Sequence, residues 1–255
     1  MQPFGFLDIL LIIVLGVGVA IGLLAGVLFF TRRFGLKRPN IFFGLLLVSF
    51  SLTLLRSIFT VTGFFDYQPR LRFLPIYFTL AFPPLLFYYV KLNLYPSYRL
   101  RLTDAKHFLL PVGQFLYFLT LFILPLDMTE SIDRHFYNPF YGAFEQFLYL
   151  STFFAYTYFA YRYVLHKRHR VEDKIEARKV LYMEKLIQIL FFFFAIHSVF
   201  VVADFIAFEF FNINLRTVKP YAALGALSFA AMVYWLSVYA FQVLLWGRKL
   251  FKRSM

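Results

Sequence analysis

The stretch from Phe6 to Phe30, FLDILLIIVLGVGVAIGLLAGVLFF, carries a single charge, Asp8, at its very start. A run of about 18 or more apolar residues has the length needed to cross the hydrocarbon core of a bilayer as a helix. Six further runs have spanning length: Ile41–Thr62, Phe73–Lys91, His107–Leu126, Phe140–Tyr161, Leu186–Phe211 and Tyr221–Trp246. Backbone amides and carbonyls in lipid must pair within their own segment, so these runs are expected to be helices. A transmembrane barrel would instead show short segments of alternating hydrophobicity. Composition agrees, because 61% of the 255 residues are apolar and only 15% are charged, against roughly 25% charged in soluble domains. A soluble globule of this size has too little interior to hide that much apolar surface. The expectation is an all-α polytopic membrane protein, a bundle of seven transmembrane helices filling residues 1–255 as one domain. No basic residue precedes the first run, so it reads as a retained span rather than a cleaved leader.

The formal net charge of +13 is explained by where the cations lie. Between the runs are the stretches Thr31–Asn40, Gly63–Arg72, Leu92–Lys106, Asp127–Pro139, Arg162–Lys185 and Asn212–Pro220. The first, third and fifth of these, with Lys91 and the tail after Trp246, hold 20 of the 26 Lys and Arg residues; Arg70, Arg72, Arg134, Arg216 and Lys219 lie on the other side. Positive loops mark the cytoplasmic face. The N-terminus is therefore expected outside, the C-terminus in the cytoplasm, and nucleic acid is not an expected partner. The absence of cysteine excludes disulfides, thiolate metal sites and cysteine nucleophiles.

The short basic elbow between the third and fourth runs, Tyr95 to Lys106, reads as structural. Pro96 stops one helix, Thr103 and Asp104 begin the next, and Arg99, Arg101 and Lys106 face anionic headgroups of the inner leaflet. The elbow also carries a resemblance. Pro84-Leu85-Leu86-Phe87-Tyr88-Tyr89-Val90-Lys91, followed by Asp104, His107-Phe108-Leu109 and Pro111, resembles the multi-helix membrane region of bacterial AraC-type helix-turn-helix regulators. The opening of the second run, Asn40 to Ser51 with Gly44, and Tyr234-Trp235-Leu236 are similar in kind, so the likeness runs from Asn40 to Tyr239. It implies sensing or signalling at a bacterial inner membrane. In that family a cytoplasmic DNA-binding domain usually follows. Here the sequence stops nine residues after Trp246, which reads as the membrane module standing alone or cut from a larger protein.

Ionisable groups at membrane depth are costly and are site candidates by default. Arg56, Glu145, His197 and Asp204 all fall in the outer halves of their runs except His197, which lies near mid-span; His197 and Asp204 are seven apart and share a helical face. The four are expected to converge on one outward-facing polar site that binds a small ligand. The competing reading is a salt bridge, Arg56 with Asp204 or Glu145, that only locks helices together. His166 and His169 in the basic loop, and His135 with Asp127, Glu130 and Asp133 in an outer loop, read as solvated surface rather than metal ligands. Tyr149, Tyr156, Tyr158, Tyr161 and the run Phe191–Phe194 read as packing and interface anchors. Glu176 and Lys179 form an i,i+3 pair in a cytoplasmic extension of the sixth run.

Three functions compete. A non-catalytic sensor, signalling to a cytoplasmic partner or attached domain, fits the outer polar site and the charged inner face. A lipid-modifying enzyme would need a reactive cluster, for which Asp104 with His107 is the candidate, yet no Asp-x-x-Asp or His-x-x-x-His pair is present. A transporter would show repeat symmetry and interrupted helices, of which only Pro83-Pro84 gives a sign. A retinal protein needs a buried lysine that Tyr221–Trp246 lacks. The sensor is the favoured reading, with no enzymatic activity, cofactor or metal expected.

Overall fold

The computed structural model describes residues 5–31, 36–124 and 143–252. Among the described residues there is no strand. Seven α-helices of 13 residues or more among the described residues carry the fold: α1 (Phe6–Thr31), α2 (Lys37–Val61), α3 (Phe82–Leu94), α4 (Leu109–Ile123), α5 (Ala143–Arg168), α6 (Lys174–Phe211) and α7 (Lys219–Lys252). Among the described residues five segments are long and apolar enough to cross a membrane: Phe6–Thr31, Lys37–Val61, Leu102–Ile123, Lys174–Phe211 and Lys219–Leu245. The outer-loop group Asp127, Glu130, Asp133 and His135 lies outside the described residues.

Six helices close into a ring in the order α1, α2, α3, α5, α6, α7 and back to α1, with α2 and α7 also touching behind α1. α4 stands outside the ring, burying only Gln114, Phe118 and Leu121. The closest helix pair, α1 and α2, depends on small residues. A Cβ at Gly26 would lie 2.9 Å from Val48 Cγ2 and 3.2 Å from the Gly44 carbonyl, and one at Gly22 would lie 2.2 Å from Ser51 Oγ. In lipid, where no hydrophobic force draws helices together, such backbone approach supplies the dispersion contact that does. The ring interior is aromatic: Phe50 stacks on Phe82 at 3.8 Å between centroids and Phe153 on Phe194 at 3.6 Å. Phe194 thus fills the core, as an anchor residue should, whereas Tyr158 is exposed.

The third apolar run departs from expectation. Phe73–Lys91 is not one helix: residues 74–78 are irregular, Thr79–Ala81 form a 3-10 turn, and α3 spans only 13 residues from Phe82. Proline explains both edges. Leu74, ahead of Pro75, takes the extended backbone (φ −54°, ψ 127°) that a following proline favours, and Pro83-Pro84 sit in the first turn of α3, where the missing amide hydrogens break no bond. Irregular backbone packed between helices must find its hydrogen bonds in protein, and polar side chains provide them. The Phe78 amide donates to Thr53 Oγ1 at 3.2 Å, the Leu80 amide to Gln114 Oε1 at 3.2 Å, and Arg56 donates to the Arg72 carbonyl at 2.5 Å. α4, although outside the ring, thereby holds the break in place.

α6 is 38 residues long, roughly 57 Å at 1.5 Å per residue, well beyond a hydrocarbon core of about 30 Å. Its extension begins where Asp173 accepts the Glu176 amide, an N-cap. Glu176 pairs with Lys167 of α5 at 2.9 Å, so it bridges two helices, where the sequence pairs it with Lys179. Arg168 grips Glu184 through both carboxylate oxygens at 2.9 and 3.1 Å.

Candidate ligand cavity

Where α2 and α6 end and α5 and α7 begin, the ring lines a partly open cavity of about 210 Å³. The broken segment before α3 supplies part of its wall, because a helix there would bring Tyr77 and Thr79 to different positions. Glu145, His197 and Asp204 all line this cavity. Arg56 does not. It is buried beside the wall, its guanidinium 5.3 to 5.5 Å from the ring centres of Phe65, Tyr77 and Phe118, and its bond to the Arg72 carbonyl closes the irregular segment. The cation that meets Asp204 is Arg216, from the short turn ahead of α7, with Nε 2.9 Å from Oδ2.

Each carboxylate is held as an acceptor. Gln114 Nε2 donates to Thr79 Oγ1 at 2.9 Å, so the Thr79 hydroxyl proton is directed to Glu145 Oε1 at 2.6 Å; Tyr77 donates to Oε2 at 3.4 Å. Asp204 Oδ2 takes both Arg216 and Gln146 Nε2, the latter at 2.7 Å. His197 Nδ1 lies 2.9 Å from Ser228 Oγ, which in turn lies 2.7 Å from the Gly225 carbonyl, so the imidazole is tied to the first turns of α7. Two buried polar atoms of lining residues make no hydrogen bond among the described residues: Gln146 Oε1 and the Tyr149 hydroxyl. Both residues are 3% exposed. Buried polar groups are nearly always paired, and an orphan at a cavity wall is a position for a ligand or a water.

Gln146, Tyr149, Thr79, Ser228 and Arg216 were not singled out as site residues by the sequence. Tyr149 reads as packing because tyrosines in spans usually are, and Arg216 reads as a loop charge. One signal was available: Gln146 adjoins Glu145, and three residues further Tyr149 returns to the same side of the helix.

The opposite end of the ring holds the elbow. Asp104 accepts from Tyr88 (2.9 Å), Tyr98 (2.8 and 2.9 Å) and the Arg101 amide (2.8 Å). The helix start is thus capped by Asp104 reaching back to Arg101, with Thr103 exposed. His107 Nδ1 lies 2.5 Å from the Tyr156 hydroxyl, and Lys91 Nζ sits 3.7 Å above the Tyr98 ring. Asp104 and His107 are each occupied by different tyrosines, an arrangement that fastens α3 to α4 and α5. Among the described residues no group of three His, Asp or Glu side chains is placed to hold a metal.

No protein-family model matches the chain, and comparison with curated proteins and with solved structures gives no match.

Proposed function

We propose that this protein is a non-catalytic membrane sensor or regulatory module whose seven helices bind a small ligand in the outer half and signal to the cytoplasm. The observation that carries the reading is the cavity with two buried, partnerless polar atoms among oriented charges. A pure helix lock would satisfy those atoms and fill the space. The distribution of Lys and Arg supports placing the cavity end outside and the elbow, the α5–α6 turn and the end of α7 in the cytoplasm. In that orientation Arg99, Arg101 and Lys106 meet anionic headgroups. The likeness to the membrane region of AraC-type regulators supports a bacterial inner membrane and an output through a cytoplasmic partner or attached domain.

α6 is the element that connects the two faces. It bears His197 and Asp204 at the cavity and, 20 residues before Asp204, Glu184 at the Arg168 clamp. Occupancy that shifts Asp204 moves a rigid rod whose far end projects past the membrane. The test uses Gly225, on the cavity wall, where an added Cβ meets nothing within 4 Å. Gly225→Phe fills the cavity without a ligand. Amide hydrogen exchange around 169–174, at the far end of α6, is expected to change several-fold relative to the unaltered protein. Unchanged exchange there, with the fold intact, overturns the signalling reading.

A further inference from the structure

The cavity's chemistry is asymmetric, and the asymmetry identifies a ligand class. Its lining has two carboxylates, Glu145 and Asp204, against one guanidinium, Arg216, which is engaged by Asp204. Glu145 has only hydroxyl partners among the bonds that orient it. Gln146 Oε1, which makes no hydrogen bond among the described residues, can only accept, and the Tyr149 hydroxyl can do so. The site is therefore rich in acceptors and poor in donors. Phe200, Tyr221 and Phe229 add aromatic surface to the wall, the kind of surface that attracts a cation across its face. Arg216 and Arg56 act on Glu145 only from a distance, and its hydrogen bonds come from two hydroxyls, so an ammonium would add the charged donor that this carboxylate lacks, whereas an anion would add a like charge.

We infer that the cavity takes a small organic cation, a primary or substituted ammonium of compact size, held by Glu145 and by the free acceptors of Gln146 and Tyr149. This rests on reading the cavity as a ligand site. The size limit follows from the volume of about 210 Å³, below the roughly 300–1,000 Å³ of pockets for drug-sized molecules. The ammonium could reach the cavity from solution or as the headgroup of an ethanolamine lipid; the chemistry of recognition is the same.

The chain has no cysteine, so a single thiol on the cavity wall reports alone. Gly225→Cys places it where a side chain has room, and Ala222→Cys, also on the wall, is the second position should the first not fold. The thiol is reacted with methanethiosulfonates bearing an ammonium, a neutral methyl or a sulfonate, each rate divided by that for a free thiol. The ammonium reagent is expected to be favoured over the sulfonate at least tenfold, and Glu145→Gln in the same background is expected to remove the preference. 2-Phenylethylammonium is expected to slow the modification at concentrations where 2-phenylethanol does not. A sulfonate preference, a ratio insensitive to Glu145→Gln, or equal protection by the alcohol overturns the cation inference while leaving the ligand-site reading standing. A thiol that no reagent reaches in the folded protein, but all reach after unfolding, overturns both. Protection in nanodiscs of ethanolamine lipid, absent in phosphatidylglycerol nanodiscs, assigns the ammonium to the membrane; protection by the soluble amine alone assigns it to solution.

Discussion

The two ends of the helix ring both gather polar side chains between apolar helices, and they treat them in opposite ways. At the elbow, one carboxylate collects four hydrogen bonds from two tyrosines and an amide, the histidine has its own tyrosine, and the lysine lies against a ring face. At the cavity end, Glu145 is oriented by two hydroxyls, and an amide oxygen and a phenol make no hydrogen bond among the described residues. A polar cluster whose members satisfy one another rigidifies a junction. One that leaves buried polar atoms unpaired sacrifices stability at that point, and such sacrifices concentrate at functional sites. The same residue types thus mean different things at the two ends, and the bookkeeping of hydrogen bonds separates them.

The largest expected effect comes from a residue that stands at the cavity end yet belongs to its framework. Arg56→Ala strands the Arg72 carbonyl and empties the space among Phe65, Tyr77 and Phe118, and should cost about 3 kcal/mol. Denaturant unfolding in detergent measures it; a loss below about 1 kcal/mol would mean that the irregular segment holds itself. Next is Asp104→Asn at the elbow, which replaces an acceptor-only carboxylate by an amide unable to receive every donor around it. A loss of about 2 kcal/mol is expected by the same measurement, and wild-type stability would remove the distinction between the ends. Smaller, and opposite in sign, is Gly225→Ala. A mid-helix glycine costs about 0.5–1 kcal/mol relative to alanine, and the new methyl meets only cavity, so the protein should be stabilised by about that amount. Destabilisation there would mean that the cavity is filled by something the fold requires.

Much of the architecture was legible because membranes enforce simple rules. Apolar length locates α1, α2, α6 and α7 to within a few residues at most ends, and Glu145, His197 and Asp204, placed together by counting along their runs, line one cavity. The broken third run was less legible. Pro83-Pro84 announces a helix start as readily as an interruption, and only its neighbours, Thr53, Gln114 and Arg56, reveal that the preceding backbone is irregular and supported from the side. Arg56 reads as a charge in search of a carboxylate, and it does act on Glu145, but it also clasps the Arg72 carbonyl, a partner that leaves no mark in a sequence. Arg216 was hidden for the converse reason: a cation in a loop looks solvated until the turn after α6, set by Asn212 in the left-handed conformation (φ 53°), brings it back over Asp204. That a phenol such as Tyr149 lacks a partner is a property of packing alone.

The most direct test of the difference between the ends is one substitution made at each. Tyr98→Phe removes a hydroxyl that donates to Asp104, and Tyr149→Phe removes one with no protein partner. Unfolding of the two variants under identical conditions should show a loss of about 1–2 kcal/mol for Tyr98→Phe and no loss, or a slight gain, for Tyr149→Phe. Equal losses from the two would contradict the account, because the Tyr149 hydroxyl would then belong to the fold and not to the cavity's ligand.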